Sequence, residues 1–518
     1  MGTQIGDVAR EAAQRFGETP LYVSTAGSVL TYAALGRLSD TAARRLLARG
    51  VGVGDVVALL LPSGAAYAVL YVAAAKIGAV TAGVNDRLSP PERRSCLAVA
   101  DPRLVIGAPD LLRSTDVRRV APGGAVVEVD PGADPADALA GIGDGRAGAA
   151  AGALPELPEL ADDPARPVAI VFTSGTTGRP KGAVFGDRQL DAIAAVDGGR
   201  RWGGGGRGLS STSFAHLGYM TKILQGLRGG GTTFLMEKWS AGPALEMVAR
   251  HRLTALGGIP TQVALMLAHP SFGSTDTSSI RLIALGGGPA TASLVREARA
   301  RFGVPVVVRY TCTEAGVGVG TVADDPPEDA EVSVGRARAG VELTIRDAAD
   351  VVLGAGETGQ VCLRSAAVMS GYYRDRAATA AALTADGAVR TGDLGYVDDE
   401  GRLHLAGRSK EMYVRGGYNV FPLEVEDVLA DHPGVAHVAV APRDDPVMGE
   451  IGVAVVVPRA GASVSLASLR AHAEGRLAAY KLPEGLLLTD ELPRTAMEKI
   501  DRATLAETVR SAEVDRRR

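Results

Sequence analysis

The chain has 518 residues, of which 46% are hydrophobic and 22% charged, and a formal net charge of −4. This balance is typical of a globular protein with an ample core and excludes a largely disordered chain. It gives no indication of a basic face for nucleic acid, and no apolar run reaches the roughly 18–20 residues of a membrane-spanning helix.

Up to about residue 310 the sequence alternates helical patterns with short apolar runs. Residues 6–17 and 31–48 have apolar residues at helical spacing, and the run 56–62 ends at Pro62, as a buried strand would. An Ala-rich stretch, 65–80, predicts a buried helix. Further apolar runs predict strands at 104–107, 168–174, 232–236, 253–260, 281–288 and 304–310. Strands alternating with helices indicate an α/β fold whose parallel sheet carries helices on its faces.

Three later segments have other patterns. Residues 133–165 are rich in Ala, Gly, Asp and Pro, which predicts a surface excursion without a core of its own. From about residue 341 the sequence alternates strands with tight turns, which predicts a β subdomain. From about residue 412 the order strand, helix, strand, strand, helix predicts a small α+β unit.

The N-terminus and the cysteines indicate the cellular compartment in which the protein is expected. The first 17 residues contain no cationic stretch followed by an apolar one, so we expect no secretory signal. Cys96, Cys312 and Cys362 lie far apart and lack the spacing of a disulfide framework or a metal site. Free thiols suit a reducing compartment, and we therefore expect a cytoplasmic protein.

The most distinctive segment is VFTSGTTGRPKG at 171–182, which directly follows a predicted buried strand. Glycines let backbone N–H groups turn inward, and hydroxyls and amides in a tight loop can cradle phosphate oxygens. A lysine adds a point charge. The spacing is not that of the Walker loop. The pattern predicts a phosphate-binding loop rather than a surface turn.

This loop resembles the phosphate loop of the adenylate-forming superfamily, which includes acyl-CoA synthetases, adenylation domains and beetle luciferases. Four further segments resemble motifs of that family in the same order along the chain: YTCTEAG (310–316), TGDLGYVDDEGRLHLAGRSKEM (391–412), GGYNVFPLEVEDVL (416–429) and PRTAMEKIDR (493–502). The resemblance implies an N-terminal domain over 1–407 with its β subdomain at about 341–407, a hinge at 408–412, and a mobile C-terminal domain over 413–518.

The resemblance also implies that ATP phosphates are held by the loop residues Thr173, Ser174, Gly175, Thr176, Thr177, Gly178 and Lys181. Thr313 would bond the α-phosphate. Glu314 would hold Mg²⁺, a hard cation that prefers carboxylate oxygen. The rest of the nucleotide is expected to contact Gly286, Gly287, Gly288, Pro289, Tyr310, Thr311, Cys312, Asp393 and Arg408. Within this set, Asp393 can accept both hydroxyl protons of the ribose, and the glycines can lie flat against adenine.

Lys499 matches the family's catalytic lysine, which reaches the substrate carboxylate and the α-phosphate together. A compact ammonium tolerates a crowded anionic site where a planar guanidinium would not fit. Two residues depart from the family pattern, because Glu498 and Thr311 stand where glycine is usual. Both departures bear on rate and loop geometry more than on the type of reaction.

The acyl pocket is expected near SFAHLGY, residues 213–219. Amino-acid-activating relatives usually have an Asp in this segment, whereas this chain has Ala215, which disfavours a free α-amino acid. His216 resembles the gating histidine of acyl- and aryl-CoA ligases. Further lining positions are expected at Tyr219, Gly286, Gly316 and Gly318.

The resemblance favours an ATP- and Mg²⁺-dependent acyl- or aryl-CoA ligase that acts on a carboxylic acid and uses CoA. Lys410 would be the pivot about which the C-terminal domain rotates, and Gly416 and Gly417 would then line the pantetheine tunnel. Two alternatives stay open: an enzyme that loads a carrier protein, and a superfamily member that uses another nucleophile. A homodimer also stays open. A non-catalytic module is disfavoured because the charged motif residues are intact.

Overall fold

A computed structural model of the chain describes residues 4–121, 123–142, 154–173, 179–408, 411–495 and 499–516. Up to residue 408 its helices are α1 (Ile5–Phe16), α2 (Tyr32–Ala48), α3 (Ala65–Lys76), α4 (Pro90–Ala100), α5 (Pro109–Thr115), α6 (Val117–Val120), α7 (Pro135–Ala138), α8 (Asp187–Gly198), α9 (Leu217–Met220), α10 (Ile223–Gly229), α11 (Ala241–His251), α12 (Pro260–Ala268), α13 (Ala292–Phe302), α14 (Asp329–Val332) and α15 (Arg376–Ala382). The strands over the same residues are β1 (Pro20–Ser24), β2 (Val29–Thr31), β3 (Val56–Leu60), β4 (Val80–Gly83), β5 (Leu104–Gly107), β6 (Ala125–Glu128), β7 (Pro167–Thr173), β8 (Lys181–Gly186), β9 (Arg207–Ser210), β10 (Thr232–Leu235), β11 (Ala255–Gly258), β12 (Leu282–Gly286), β13 (Val306–Tyr310), β14 (Val319–Gly320), β15 (Arg336–Ala337), β16 (Glu342–Arg346), β17 (Gly359–Arg364), β18 (Gly371–Tyr372), β19 (Val389–Val397) and β20 (Leu403–Arg408). The remainder contains β21 (Tyr413–Arg415), β22 (Tyr418–Val420), α16 (Pro422–Ala430), β23 (Val435–Asp445), β24 (Gly449–Pro458), α17 (Leu466–Ala473), β25 (Gly485–Leu488), α18 (Arg502–Ser511) and β26 (Asp515–Arg516).

Two mixed sheets form the large N-terminal part. One has the strand order β18-β8-β7-β4-β3-β5-β6, and the other has the order β15-β14-β13-β12-β11-β9-β10-β1-β2. Most neighbouring strands are parallel, but β8 runs antiparallel to β7 and β14 antiparallel to β13. Strands β3, β4 and β5 are buried along their whole length. Burial on both faces explains why they are continuous apolar runs rather than alternating ones.

The main core lies where α1, α2 and α3 pack on the first sheet. Helix α3 is buried around most of its circumference, which explains its Ala-rich sequence. Helix α2 begins where the Thr31 hydroxyl accepts a hydrogen bond from the Ala34 N–H, a typical N-cap. The parallel α/β architecture predicted for this region is confirmed.

Three details of the sequence prediction are wrong. The helix expected over 65–80 ends at Lys76, and its last residues begin strand β4. Strand β8 was not predicted at all. In the segment 133–165, Leu139 and Ile142 are buried in the main core, and their carbonyls accept hydrogen bonds from Arg45 and Arg49. That segment is therefore anchored to the domain, at least up to residue 142.

The β subdomain and the C-terminal unit follow as predicted. Strands β16, β17, β19 and β20 form an antiparallel sheet. The C-terminal unit builds its own sheet around β24 and has separate apolar clusters, one of which includes Tyr413, Leu429 and Leu469. Within the described ranges, no helix is both long enough and apolar enough to cross a bilayer.

Candidate active site

The predicted phosphate loop connects two paired strands. Thr173 ends β7 and Lys181 begins β8, and the two residues are partners in the antiparallel ladder. The Thr173 hydroxyl donates a hydrogen bond of 3.5 Å to the Lys181 carbonyl. The hairpin therefore holds both residues at the end where the loop joins its two strands. Five predicted phosphate ligands lie outside the described residues: Ser174, Gly175, Thr176, Thr177 and Gly178.

Tyr372 links this hairpin to the other sheet, and the sequence analysis missed it. Tyr372 pairs with Ala183 of β8, and its ring centroid lies 5.0 Å from the Lys181 ammonium. Its hydroxyl donates a 2.6 Å hydrogen bond to Glu314 Oε1. Burial, together with the Glu314 carboxylate, raises the pKa of Tyr372. Glu314 lies in a 3₁₀ turn, Thr313–Ala315, together with the predicted α-phosphate ligand Thr313. Tyr372 therefore joins this turn to the Lys181 side of the site.

The predicted ribose ligand is held by two donors. The Tyr310 hydroxyl donates a 2.6 Å hydrogen bond to Asp393 Oδ2, and Arg408 Nε lies 3.3 Å from Asp393 Oδ1. Asp393 and Arg408 are opposite each other on β19 and β20, so the sheet register brings them together. Burial raises the pKa of Tyr310, and the negative charge of Asp393 adds to this effect. The Tyr310 hydroxyl therefore stays protonated. Tyr310, Asp393 and Arg408 are thus brought together as predicted.

Thr311 and Cys312 lie between these two groups. Thr311 is exposed, and its hydroxyl donates a 3.2 Å hydrogen bond to the Cys312 carbonyl. Burial raises the pKa of the Cys312 thiol well above its usual value, and the neighbouring Glu314 adds to this effect. The thiol is therefore neutral, and Cys312 serves as a small side chain between Glu314 and Asp393.

The predicted adenine platform is a strand-to-helix turn. Gly286 ends β12, and a Cβ there would lie 3.1 Å from the Arg309 carbonyl. Gly287 has φ +76°, a conformation that favours glycine. Gly288 and Pro289 continue the turn toward α13. The role of this turn as an adenine platform stays a prediction.

Gly316 and Gly318 do not line a pocket, so that expectation is wrong. A Cβ on Gly316 would lie 2.9 Å from both the Ala367 carbonyl and Ile193 Cδ1. A Cβ on Gly318 would lie 2.3 Å from the Tyr310 carbonyl. These glycines permit close packing of neighbouring backbone, and they leave no volume for an acyl chain.

His216 and Lys499 come from distant parts of the chain and influence each other. His216 caps helix α9, where its Nδ1 accepts a 3.2 Å hydrogen bond from the Gly218 N–H. Burial and the charge of Lys499 lower the pKa of His216 to about 4. Partial withdrawal of the Lys499 ammonium from solvent lowers its own pKa; Arg408 contributes to this effect and Asp393 opposes it. The charge of Lys499 therefore acts on His216, and the charges of Arg408 and Asp393 act on Lys499.

Ala215 is buried beside an aromatic cluster. Phe214 stacks on Tyr219 with ring centroids 3.6 Å apart, and Tyr67 packs edge-on against both rings. Tyr219 is thus largely engaged in packing. A carboxyl that the sequence analysis missed, Asp86, lies 3.4 Å from the Ser213 hydroxyl, and burial raises its pKa against the opposing charge of Arg87. Position 215 itself carries no acid.

Gly416 and Gly417 form the exposed turn between β21 and β22. Both have positive φ, +56° and +88°, which a hairpin turn of this kind requires. The Gly416 N–H donates a 2.8 Å hydrogen bond to the Met448 carbonyl. Two other residues singled out by the sequence, Lys410 and Glu498, lie outside the described part of the chain.

Comparison with known proteins agrees with this geometry. The AMP-binding enzyme family matches residues 9–373, and the AMP-binding enzyme C-terminal domain matches residues 424–499. The indoleacetate–CoA ligase of Aromatoleum aromaticum is 35% identical over 480 residues, which cover 91% of each chain. ATP-bound MatB from Rhodopseudomonas palustris superposes with a TM-score of 0.85 at 28% identity, covering 98% of this chain and 99% of that one. The amide bond synthetase McbA from Marinactinospora thermotolerans superposes with a TM-score of 0.84 at 29% identity, covering 97% and 99%.

The chain belongs to the AMP-binding enzyme family, in the acyl-CoA synthetase branch of the adenylate-forming superfamily. It is an AMP-forming acid–CoA ligase. ATP converts a carboxylic acid to an acyl-adenylate with release of pyrophosphate, and CoA then takes the acyl group as a thioester. The fold class, the enzyme class and the ATP and CoA substrates predicted from the sequence are confirmed.

Proposed function

We propose that the residues described above divide the work of adenylation among three parts of the site. Lys181 and Thr173, with the loop between them, hold the β- and γ-phosphates, and Thr313 bonds the α-phosphate. Asp393 accepts the ribose hydroxyls, and Arg408 supports it. The observation that carries this proposal is geometric: Tyr372 joins Glu314 to the Lys181 side of the site, and Tyr310 and Arg408 hold Asp393.

Glu314 fits a magnesium ion that is held mainly by ATP. Within the described ranges, no group of three or more His, Cys, Asp or Glu residues could form a cage for a metal. Mg²⁺ commonly binds one or two carboxylates and otherwise phosphates and water, so a single Glu314 beside the phosphate residues suits it. When bound, the ion would offset phosphate charge.

The protein residues offset the negative charge of the reacting groups and orient those groups. In the first step, an oxygen of the substrate carboxylate attacks the α-phosphorus, and the bond to the bridging oxygen of pyrophosphate breaks. Lys499 offsets the negative charge that accumulates as two anions meet. In the second step, the CoA thiolate sulfur attacks the acyl carbonyl carbon, and AMP leaves with the electron pair of the broken C–O bond.

The acyl group is proposed to be largely apolar. Ala215 lies between the aromatic cluster and His216, and a substrate ammonium at this position would have no carboxylate partner there. An unpaired buried charge costs several kcal/mol. The Asp86 carboxyl lies near Ser213 and is the acidic group that would pair with a substrate ammonium in this region. Asp86→Asn is therefore the variant to compare with the wild type.

A substrate panel tests this proposal. The enzyme is incubated with ATP, Mg²⁺ and CoA, and with fatty, cyclic, aromatic, dicarboxylic and α-amino acids in turn, and acyl-CoA is identified by mass. We expect acyl-CoA from apolar acids and the same preference in Asp86→Asn. A preference for α-amino acids or dicarboxylic acids would overturn the assignment of the pocket.

A different acceptor is the second candidate, and the similarity to an amide bond synthetase favours testing it. The same incubations are repeated with a carrier protein or with a simple amine in place of CoA. Acyl-adenylate that turns over only with a carrier protein or an amine would identify that acceptor. Size-exclusion chromatography with light scattering, in the same buffer, distinguishes a monomer from a homodimer.

The hinge at 408–412 and the boundary between domains 1–407 and 413–518 are also proposed. Separate apolar clusters on either side of the boundary support them. We propose that rotation about Lys410 brings the exposed Gly416–Gly417 turn to the site for the thioester step. A cytoplasmic location is proposed because all three cysteines are free thiols.

A further inference from the structure

Glu411 belongs to the proposed hinge segment and lies between Arg408, the first residue of that segment, and Arg502 of the C-terminal unit. Its Oε1 is 4.0 Å from Arg408 Nε, and its Oε2 is 3.5 Å from Arg502 Nε. Arg408 is the residue that supports Asp393, the proposed ribose ligand. One carboxylate thus joins the ribose side of the site to the C-terminal unit.

Arg502 is firmly anchored within that unit. Its guanidinium donates to both carboxylate oxygens of Glu426, over 2.5 and 2.8 Å. Glu426 is 5% exposed and also accepts a 2.6 Å hydrogen bond from the Val440 N–H. Such a bidentate, buried pair fixes the guanidinium in both position and orientation. Arg502 is therefore a rigid point of the C-terminal unit.

The same anchor lies close to Lys499 along the chain. Arg502 follows Lys499 by three residues, and Arg494 and Ile500 form a β-bridge that closes the segment between them. The Thr495 N–H donates a 2.7 Å hydrogen bond to the Lys499 carbonyl, and the Asp501 N–H donates one of 2.9 Å to Pro493. Lys499 and Arg502 therefore belong to one hydrogen-bonded segment of the C-terminal unit.

We propose that Glu411 is a positioning residue for Lys499 in the adenylation step, an inference that rests on the function proposed above. Charges alternate along one path from the ribose ligand to the core of the C-terminal unit, in the order Asp393, Arg408, Glu411, Arg502 and Glu426. Glu411 is the member of this path through which the two sides attract each other. It holds the lysine-bearing segment against the site in the conformation described here.

The strength of this link suits a contact that must break in each cycle. The side chains of Glu411 and Arg502 are 29% and 26% exposed, and that of Arg408 is 58% exposed. Ion pairs with this access to water are weak and are screened by salt. Glu411 thus biases the position of the C-terminal unit without locking it, so the second step remains possible.

The test compares half-reactions in Glu411→Gln, which removes the charge, and Glu411→Asp, which keeps it. Pyrophosphate release from acid and ATP without CoA reports the first step, and CoA acylation from supplied acyl-adenylate reports the second. Glu424→Gln is the matched control, because Glu424 is 35% exposed and pairs with Lys481 of the same unit at 2.5 Å. Thermal unfolding checks that all the variants fold.

For Glu411→Gln we expect the first step to slow by about two- to fivefold, the range that a weak ion pair can supply. KM for ATP and the second step should stay unchanged. Glu411→Asp should recover most of the rate, Glu424→Gln should match the wild type, and high salt should abolish the difference between Glu411→Gln and wild type.

Two results would overturn the inference. Equal slowing of both steps, or no slowing of the first, would show that Glu411 does not position Lys499. Lys499→Ala is measured alongside, so that failure of the inference about Glu411 can be distinguished from failure of the proposed function. If Lys499→Ala abolishes the first step while Glu411→Gln does not slow it, only the inference fails. If Lys499→Ala leaves the first step intact, the proposed role of Lys499 fails, and the inference fails with it.

Discussion

The hydroxyl of Tyr372 donates a 2.6 Å hydrogen bond to the carboxylate of Glu314. Tyr372 belongs to the sheet that contains the phosphate-loop hairpin, whereas Glu314 follows the last parallel strand of the other sheet. The ring of Tyr372 also lies 5.0 Å from the Lys181 ammonium, within range of a cation–π interaction. One side chain therefore contacts both a cation and an anion that we propose act on the phosphates of ATP.

We expect Tyr372→Phe to weaken ATP–Mg²⁺ binding while Lys181 keeps its aromatic neighbour. A hydrogen bond to a charged group contributes about 1.5–3 kcal/mol, so KM for ATP should rise roughly tenfold or more. Equilibrium binding of ATP, measured by calorimetry at several Mg²⁺ concentrations, checks this. Tyr373→Phe removes the adjacent hydroxyl and should bind ATP like the wild type. Unchanged binding in Tyr372→Phe would contradict the assigned role.

Lys499→Ala should lose adenylation far more than thioester formation from supplied acyl-adenylate. Loss of a charge aligned with the transition state costs about 3–4 kcal/mol, or 10²–10³ in rate, by analogy with an oxyanion-hole donor. Single-turnover measurements of the two half-reactions provide the comparison. Lys481→Ala, which removes another lysine of the same unit, should leave adenylation unchanged. Equal loss in both half-reactions would refute the assignment, and full retention would indicate that Glu498 alters the role of Lys499.

His216 should remain neutral across the physiological pH range. Its folded-state pKa of about 4 lies below the ordinary value of 6.5, so the unfolded chain binds this proton more readily than the folded one. The contribution of His216 to the free energy of unfolding is therefore complete above pH 6.5 and is lost as the pH falls toward 4. His216→Asn, which keeps a capping oxygen, should lose less stability than the wild type between pH 7 and pH 5, as chemical denaturation can measure.

The same pKa provides a check on the position of the C-terminal unit. Because the charge of Lys499 contributes to the lowered pKa of His216, Lys499→Ala should raise that pKa. NMR titration of the His216 ring protons in both proteins measures the change. An unchanged His216 pKa in Lys499→Ala would show that Lys499 does not stay near it in solution.

Lys410→Pro should impair the thioester step and spare adenylation, whereas Lys499→Ala should impair adenylation and spare the thioester step. Proline fixes φ near −65° and so prevents a pivot at this residue. We expect pyrophosphate release to survive and CoA acylation to fall, with Lys410→Ala as the control that removes the side chain but leaves the backbone free. If Lys410→Pro supports both steps at wild-type rates, the pivot lies at another residue.

Much of the architecture could be predicted because it depends on local patterns. Buried parallel strands such as β3 and β5 are short apolar runs, and burial on both faces leaves no other composition open to them. The same signal failed for β4, because its four residues continue the apolar character of helix α3 and periodicity cannot separate the two. Strand β8 was not predicted because its sequence, KGAVFG, contains a lysine and two glycines and therefore lacks the continuous apolar run of the neighbouring strands.

By itself, the sequence determined the family, which the comparisons confirm, and it predicted the candidate site residues, because both follow from residue types at fixed spacing. Only the tertiary structure decided which of these residues meet. Asp393 pairs with Arg408 through the register of two strands, and Tyr310 reaches Asp393 across 83 positions of the chain. Glu411 and Arg502 likewise come together only when two segments fold against each other. Contacts of this kind depend on the path of the chain in space, and no local pattern of residues encodes that path.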